Sequence, residues 1–351
     1  MQIGDIPSDA LAAFRRGGVI PAHPLALTAG RTLDERRQRA LSRYYLDAGV
    51  VGLAVGVHTT QFAIREVNLF ETVLRLATEE AATWVSRPTF LVAGAIGPTR
   101  QAVAEATIAR DLGYHAVLLS LAGFDSASDA EMIDHVRAVT AVMPVMGFYL
   151  QPAVGGRVLS RTFWREFAAL DNIVGIKIAP FNRYRTLDVI QGVVAAGAED
   201  RIALYTGNDD HIVLDLLTPY SVLRDGEPVD VRIVGGLLGH WSVWTHSAVK
   251  MVDEIKALPD EALDSRWLTR DADTTDANGA FFDAANDYRG VIAGLHEVLR
   301  RQGLLEGIWC LDSQEGLGPG QAAEIDRVYA SYPNLNDDAF IAKHRDRWLN
   351  T

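Results

Sequence analysis

Short apolar runs alternate with longer amphipathic stretches along most of the chain. The runs are rich in β-branched and small residues, and the stretches between them have the apolar spacing of helices. Eight runs are predicted strands: Val19–Leu27, Val50–Val57, Thr89–Ala95, Ala116–Leu121, Val145–Gln151, Val174–Ala179, Ile202–Thr206 and Arg232–Gly239. Predicted helices between them include Leu33–Ala48, Val67–Val85, Arg100–Leu112, Asp129–Val142 and Leu187–Ala196. Eight such units predict an α/β fold, a (β/α)8 TIM barrel, because open doubly wound sheets more often have five or six strands.

After the eighth run the pattern is helical. We expect a barrel with a short N-terminal lead-in over residues 1–258 and a C-terminal helical region over residues 259–351, packed on the barrel. The acidic segment Leu268–Asp276 is expected to separate the two, and residues 221–231 predict an inserted loop or hairpin. The predicted C-terminal helices are Ser242–Leu258, Asn278–Gln302, Gln321–Tyr332 and Asp337–Trp348.

Composition and charge limit the classes of partner and function that the chain can have. The chain has 351 residues, 48% of them hydrophobic, and a formal charge of −12. This balance argues against nucleic acid or an anionic membrane as partner and favours a small molecule. A single cysteine, Cys310, excludes an intrachain disulfide. With no leader-like start, no long apolar run and no metal-ligand spacing, we expect a cytoplasmic protein and assign no metal or cofactor.

Lys177 is the most informative residue, because it lies within the apolar segment Val174–Pro180 of the predicted sixth strand. Side chains alternate along a strand, so Lys177 shares its face with Gly175 and Ala179, which leave room around the amine. Burial disfavours the charged form and lowers the pKa of a lysine, and a neutral amine is a nucleophile. The alternative is a lysine whose stem packs while its ammonium reaches water.

Tyr149 lies on the preceding predicted strand. Alternation puts Tyr149 on the inward face with Gly147, and Phe148 on the face toward the helices. An amine beside a phenol suits carbonyl chemistry through an imine, because the amine attacks a ketone while the hydroxyl moves protons. The alternative is a packed tyrosine with one hydrogen bond.

Hydroxyl groups follow the second predicted strand, in the segment Gly56–Gln61. Hydroxyls and freed backbone N–H groups at a strand end suit the binding of a carboxylate. The pair Thr59 and Thr60 is a weak signal by itself, because threonine is also a common strand residue.

These residues resemble the pyruvate-dependent class I aldolases and lyases, the family of dihydrodipicolinate synthase and N-acetylneuraminate lyase. The resemblance covers about Val19 to Leu258. Its strongest parts are Tyr149-Leu-Gln-Pro152, like the family's Tyr-x-x-Pro, and Gly175-Ile-Lys177, like its Gly-Ile-Lys. The tyrosine and the lysine are 28 residues apart, as in the family. Weaker matches are Ala93-Gly94, Thr206-Gly-Asn-Asp209 and Gly235-Gly236.

The resemblance implies roles for individual residues. Lys177 would form a Schiff base with a 2-keto acid, either pyruvate or a larger compound with a pyruvoyl end, and Tyr149 would carry the proton. The family's Gly-Thr-Thr-Gly-Glu turn aligns onto Val57–Gln61, which assigns Thr59, with Thr60 as the nearby alternative, to the substrate carboxylate.

The chain also departs from the family at several positions. His58 replaces the first threonine of the turn, and Gln61 replaces its glutamate. Phe124 falls where the synthases usually have a second tyrosine, and Val154 where dihydrodipicolinate synthase has an arginine. Without that cation a second anionic substrate is poorly held, which argues against lysine biosynthesis.

Two histidines at predicted strand ends, His58 and His240, are open to either of two interpretations. A histidine that titrates near neutrality takes over proton transfer at the substrate, or each ring is a hydrogen-bonded structural group. We place both among the expected substrate-binding residues, together with Gly236 at the end of the eighth strand.

Four further residues near the strand ends have an ordinary structural explanation. Trp241 and Trp244 line a pocket or pack in the core, and we favour packing. Asp209 and Asp210 are expected to cap the helix that follows the seventh strand.

Together these features predict a lyase, aldolase or dehydratase that acts on pyruvate or a 2-keto(-3-deoxy) acid through Lys177. Aldol cleavage and dehydration use the same imine, so the sequence leaves both open. The rival hypothesis is a barrel that kept the lysine but lost turnover and serves as a small-molecule-binding or regulatory protein. We expect a homo-oligomer, either a dimer or a tetramer, with no nucleic acid or membrane partner.

Overall fold

The computed structural model describes residues 1–259 and 263–350, and the fold is the predicted (β/α)8 barrel with a C-terminal helical extension. The strands are β1 Val19–Pro21, β2 Gly52–Val55, β3 Phe90–Ala95, β4 Ala116–Leu119, β5 Val145–Leu150, β6 Ile173–Ala179, β7 Ala203–Thr206, β8 Pro219–Arg224, β9 Glu227–Arg232 and β10 Gly235–Leu238. The helices are α1 Ser8–Arg16, α2 Glu35–Ala48, α3 Phe70–Thr83, α4 Thr99–Asp111, α5 Asp129–Thr140, α6 Arg161–Ala168, α7 Arg183–Ala195, α8 Ile212–Leu217, α9 Thr245–Lys256, α10 Arg266–Phe281, α11 Val291–Arg301, α12 Gln321–Ser331 and α13 Asp338–Leu349. The eight predicted strands correspond to β1–β7 and β10.

One compact unit comprises Met1–Gly18 and Phe90–Leu237. Its parallel strands follow the order β10-β7-β6-β5-β4-β3. An aromatic cluster covers one face of this sheet: the Phe14 ring stacks on Phe90 at 4.1 Å and on Tyr205 at 4.8 Å between ring centroids. The Tyr205 hydroxyl donates to the Phe14 carbonyl oxygen at 2.6 Å. Helix α1 therefore supplies a buried plug for this face of the sheet.

The other face of the same sheet packs against helix α6. The buried side of α6 carries Phe163, Trp164 and Phe167. A Cβ atom on Gly147 of β5 would lie 2.6 Å from the Phe167 ring, so the glycine makes room for that ring. The two faces of the sheet can thus be told apart by their contacts with α1 and with α6.

The inserted segment before the last barrel strand is a β-hairpin, as one of the two sequence alternatives predicted. Strands β8 and β9 pair in antiparallel register, with Arg224 opposite Glu227. The two turn residues, Asp225 and Gly226, both have positive φ, which a two-residue turn of this kind requires.

The second compact unit comprises Val19–Thr89 and Leu238–Thr351. Its C-terminal helices are tied to α2 through polar side chains of that helix. The Arg43 guanidinium donates to the Trp348 carbonyl oxygen at 2.8 Å, and the Tyr44 hydroxyl donates to the Asp337 carboxylate at 2.7 Å. The extension therefore packs on a barrel helix.

Two expectations for this extension are wrong. The acidic segment Leu268–Asp276 is no joint but lies within α10, where Asp276 accepts hydrogen bonds from Arg327 at 2.7 Å and Tyr332 at 2.6 Å. The predicted helix Asn278–Gln302 is interrupted between α10 and α11 by residues in the left-handed conformation: Asp283, Asp287 and Tyr288. The ion pair between Asp276 and Arg327 of α12 neutralises one of the charges that made Leu268–Asp276 look like a linker.

The start of β6 is held by Asn172, which precedes the strand. Its side chain accepts a hydrogen bond from the Ile3 N–H at 2.9 Å and donates to the carbonyl oxygens of Thr140 at 2.8 Å and Met1 at 3.1 Å. Asn172 also has a φ of 64°, a conformation that asparagine tolerates better than most residues.

We predict that Asn172→Ala lowers the free energy of unfolding by about 1–3 kcal/mol, because it leaves buried backbone groups without partners. Urea unfolding followed by circular dichroism measures the change. Asp171→Ala, at the exposed neighbouring position, is the control and should alter stability little. Equal stability of the two variants would show that the Asn172 hydrogen bonds do not hold the start of β6.

Candidate active site

Lys177 lies on the sheet face that carries the aromatic cluster. In the register of β6, Lys177 is opposite Phe148 of β5 and opposite Tyr205 of β7. Its side chain is 8% exposed, and its Nζ lies 4.5 Å from the centroid of the Phe148 ring. The lysine is therefore buried beside an aromatic face, near the carboxyl end of its strand, where barrels of this type place their reactive groups.

Burial changes the acidity of this amine. Desolvation lowers the pKa of Lys177 to about 8, and the negative charge of Asp209 acts in the opposite direction. The other three lysines, Lys250, Lys256 and Lys343, are exposed. Lys177 is thus the one lysine of the chain whose surroundings favour a neutral, nucleophilic amine.

The predicted partner of this amine, Tyr149, lies on the opposite face of the sheet. It pairs with Ile178, not with Lys177, and its ring contacts Trp164 of α6 at 5.3 Å between centroids. Its hydroxyl donates to the Leu159 carbonyl oxygen at 3.2 Å and accepts from the Leu159 N–H at 3.1 Å. The expectation that Tyr149 and Lys177 share the inward face is wrong, and Phe148 takes the inward position.

The register between β5 and β6 explains this difference. Val145 pairs with Ile173, but the next residue, Met146, pairs with Gly175, so Val174 is left over as a bulge. An extra residue moves every later side chain of one strand to the other face relative to its neighbour. A separation of 28 residues therefore does not bring Tyr149 opposite Lys177.

The loop after β7 lies against the lysine side chain. A Cβ atom on Gly207 would be 2.6 Å from the Lys177 Cε, so only glycine lets the loop approach this closely. The next residue, Asn208, is buried, and its side chain accepts from the Phe181 N–H at 3.0 Å and donates to Asp215 at 2.8 Å. This part of the loop is fixed by hydrogen bonds to its neighbours.

Asp209 follows directly and was missed as a site residue. The predicted role in capping is wrong, because the N-cap residue of α8 is His211, which separates both aspartates from the first helical residue, Ile212. Asp209 is 5% exposed, and its N–H donates to the Gly207 carbonyl oxygen at 3.1 Å. Burial of this carboxylate could have drawn attention to Asp209, because a loop that only connects two elements does not need a buried carboxylate.

In the second unit, the loop after β2 distinguishes its two threonines. The buried Thr60 hydroxyl donates to the His23 carbonyl oxygen at 2.7 Å and accepts from the Gly56 N–H at 3.0 Å. Within residues 1–259 and 263–350, the Thr59 hydroxyl has no hydrogen-bond partner, although Thr59 is only 4% exposed. His58 lies three residues after the end of β2, and its ring meets the Phe62 ring edge-on at 5.7 Å between centroids. Thr60 thus holds the loop, and the Thr59 hydroxyl takes no part in doing so.

His240 is a buried ring at the end of β10. Its Nδ1 accepts from the Asn278 amide at 3.3 Å, and burial lowers its pKa to about 4. A ring with that pKa is neutral near pH 7, which favours the second of the two interpretations, a hydrogen-bonded structural group. Gly236 pairs with Thr206 and donates its N–H to the Gly18 carbonyl oxygen at 3.0 Å.

Trp241 and Trp244 are both buried, as the packing interpretation predicted, and Trp244 meets the Phe281 ring edge-on at 4.9 Å. Cys310 is also buried, and burial raises the pKa of its thiol to about 12. These three side chains therefore belong to the core.

Residues 1–259 and 263–350 contain neither a metal-type cluster nor a membrane-spanning helix. No cluster of three or more His, Cys, Asp or Glu side chains with the arrangement of a metal site occurs among them. No helix in the same part of the chain has the length and apolar character needed to cross a membrane.

The fold and the site define a (β/α)8 barrel with one buried amine at the reactive end of its sixth strand. The chain belongs to the dihydrodipicolinate synthetase family, whose sequence model matches residues 15–219, more than half of the chain. Comparison with curated proteins gives no significant match.

Solved structures with the same fold cover most of the chain. Dihydrodipicolinate synthase from Oceanobacillus iheyensis is 17% identical, with a TM-score of 0.71 over 93% of this chain and 100% of that one. The chloride-inhibited synthase from Acinetobacter baumannii, complexed with pyruvate, is 17% identical, with a TM-score of 0.73 over 90% and 99%. N-acetylneuraminate lyase from Fusobacterium nucleatum, also complexed with pyruvate, is 17% identical, with a TM-score of 0.69 over 92% and 98%.

We predict that Tyr149→Phe lowers the free energy of unfolding by about 1–3 kcal/mol, because the Leu159 N–H and carbonyl lose their partner. Reaction of the Lys177 amine with a keto acid should stay within about twofold of the parent rate, far below the 10²-fold typical of a lost proton carrier. Urea unfolding and adduct formation measure the two effects. A variant with normal stability and slow adduct formation would return Tyr149 to the mechanism.

We also predict a stability change with pH that depends on Lys177. The amine has a pKa of about 8 when folded and an ordinary value of 10.5, so between these values the unfolded chain binds the extra proton. The free energy of unfolding of the parent should therefore rise with pH across that window, by roughly 3 kcal/mol at most. In Lys177→Met this rise should be absent. Parallel pH profiles for the parent and the variant would mean that the folded-state pKa is ordinary.

Proposed function

We propose that the protein forms a Schiff base between Lys177 and a 2-keto acid and uses it for aldol cleavage or dehydration. The observation that carries this proposal is the buried amine on the inner sheet face, with its lowered pKa. Membership of the dihydrodipicolinate synthetase family supports it, as do similar structures described as complexes with pyruvate.

The amine is suited to attack on a carbonyl. With a pKa of about 8, roughly a tenth of the Lys177 side chains are neutral at pH 7. Attack on the keto carbon and loss of water give a protonated imine, whose nitrogen draws electrons from the C3–H or C3–C4 bond of the keto acid. Loss of a proton from C3 leads to dehydration, and breakage of the C3–C4 bond to aldol cleavage.

Thr59 is the residue that we propose for binding the substrate carboxylate. Its hydroxyl has no partner in the described part of the chain, whereas the Thr60 hydroxyl is used to hold the loop. A hydroxyl can donate to a carboxylate without burying a second charge.

We propose further that the remainder of the substrate is uncharged. Val154 follows β5 where dihydrodipicolinate synthase has an arginine. The nearest arginine along the chain, Arg157, donates to the carbonyl oxygens of Phe124 and, at 2.8 Å, of Ala127. Its guanidinium thus holds a loop, which argues against a second anionic substrate.

A binding or regulatory protein is the second candidate, and one observation favours it. The ring beside the Lys177 amine belongs to Phe148, which has no hydroxyl for proton transfer. Such a protein would form the imine, or bind the keto acid without it, and would show no turnover.

We predict that borohydride traps a pyruvate adduct on Lys177. Mass spectrometry of the intact protein should show a gain equal to pyruvic acid less one oxygen atom, and peptide mapping should place it on Lys177. Lys177→Arg should gain nothing, because the guanidinium stays protonated. Lys250→Arg, which changes an exposed lysine, is the matched control and should react like the parent.

The outcomes separate the two candidates. An adduct together with turnover of an aldehyde or a 2-keto-3-deoxy acid supports the lyase. An adduct without turnover across such a panel supports the binding protein. No adduct with pyruvate or with bulkier keto acids would remove Schiff-base chemistry from the protein.

A further inference from the structure

Imine formation needs a group that takes up and returns protons beside the amine. An ammonium must first lose a proton, and the hydroxyl of the intermediate must later gain one before it leaves as water. Tyr149 is bonded to Leu159 on the other face, and Phe148, which lies beside the amine, has no exchangeable proton. The chemistry proposed for Lys177 therefore requires another residue.

The loop after β7 brings a carboxyl group to this place. The backbone at Gly207 lies against the Lys177 stem, and the Gly207 N–H donates to the Ile178 carbonyl oxygen at 2.7 Å. Asp209 is two residues further, and its own N–H folds back to the Gly207 carbonyl oxygen at 3.1 Å. The tight turn holds the Asp209 backbone close to Gly207, the residue that lies on the Lys177 stem, and Asp209 is 95% buried.

Hydrogen bonds to neighbouring elements hold the residues that precede Asp209, so its position is set before substrate binds. The Thr206 hydroxyl donates to the buried Asp215 carboxylate at 2.6 Å, and the Asn208 amide donates to the same oxygen at 2.8 Å. Asn208 also donates to the Thr186 hydroxyl at 3.2 Å. Side chains on β7, α7 and α8 thus fix both residues that flank Gly207.

The two neighbouring carboxylates, Asp210 and Asp215, bind other side chains. Asp210 pairs with Arg183 at 3.4 Å, and Asp215 is held by Thr206 and Asn208. The electrostatic influence on the Lys177 amine comes from Asp209. Of the three carboxylates on this loop and on α8, Asp209 is the one whose charge acts on the Lys177 amine.

We propose that Asp209 is the proton carrier of imine formation at Lys177. The inference rests on the proposed function, because it concerns the same amine. The Asp209 carboxylate takes one proton from the Lys177 ammonium, and the freed nitrogen pair attacks the keto carbon while the carbonyl π pair moves to oxygen. A proton passes from nitrogen to that oxygen to give the carbinolamine. Asp209 then returns its proton to the hydroxyl, water leaves, and the nitrogen pair forms the C=N bond of the protonated imine.

The proton count closes without any other reactant. One of the three ammonium protons stays on the imine nitrogen, two leave in the water molecule, and Asp209 ends as the carboxylate with which it began. The lysine must enter with its proton for this count to hold. A pKa of about 8 keeps most of the amine protonated at pH 7.

We test the proposal with Asp209→Asn, and with Asp210→Asn as the matched control on the adjacent, more exposed aspartate. The readouts are turnover and the rate of borohydride-trapped adduct formation. The rate is measured between about pH 6 and pH 9, a range that spans the lysine pKa. We expect Asp209→Asn to slow adduct formation by about 10²-fold or more, the usual contribution of general acid–base catalysis. Asp210→Asn should stay within about twofold of the parent.

The pH profile distinguishes proton transfer from a purely electrostatic role. Loss of the Asp209 charge lowers the Lys177 pKa further, which gives more neutral amine near pH 7. If Asp209 only tunes that pKa, adduct formation near neutrality becomes faster and the profile shifts to lower pH. A rate equal to or faster than that of the parent overturns the proposal, whereas a slow rate despite the extra neutral amine supports it.

Asp209→Glu controls for damage to the fold, because it keeps a carboxyl group at the same position. Recovery of at least part of the rate supports proton transfer, and a rate as slow as that of Asp209→Asn in a folded protein counts against it. The parent protein separates the two hypotheses: if it gives no adduct, the Schiff-base function fails, and if it reacts while Asp209→Asn reacts equally well, only the role of Asp209 fails.

Discussion

Burial of the Lys177 amine away from water is the constraint on which the proposed chemistry depends. A lysine is rarely buried, because desolvation of an ammonium is costly unless an opposite charge or deprotonation relieves it. Here both effects are present: burial lowers the pKa to about 8, and the Asp209 charge limits the decrease. The glycine at position 207 makes this burial compatible with packing, because it lets the loop backbone lie on the lysine stem.

The same constraint explains the rigidity around the amine. A buried charge is tolerated only where its partners are held in place, since a mobile loop would admit water or lose the opposite charge. The hydrogen bonds from Thr206 and Asn208 to Asp215 meet this need. Burial raises the pKa of the Asp215 carboxyl, and these two hydrogen bonds act in the opposite direction. Two carboxyl groups thus have different tasks: Asp215 holds the loop, and the charge of Asp209 acts on the Lys177 amine.

The fold was largely predictable from the sequence, and the site only in part. Strand positions follow from short β-branched runs between amphipathic helices, a signal that does not depend on exact pairing, and all eight runs overlap a barrel strand. Lys177 was recognisable because an amine in an apolar strand is unusual. The face of Tyr149 was not, because a bulge at Val174 shifts the register by one residue, and alternation within a single strand cannot reveal that. Thr59 and Thr60 could be separated only by their hydrogen bonds.

With Asp209 and not Tyr149 as the proton carrier, the amine has a different protonation state before the keto acid binds. A phenol beside the lysine is neutral near pH 7 and leaves desolvation unopposed, which favours a resting neutral amine that must obtain from solvent the proton needed to expel water. A carboxylate raises the lysine pKa, so the proton is already present when the keto acid arrives. The cost is a smaller fraction of nucleophile at rest, and the gain is that attack and dehydration share one proton between two fixed groups. A barrel that turns its tyrosine toward the helices can therefore keep imine chemistry, provided that the carboxylate on the β7 loop stays buried and in place.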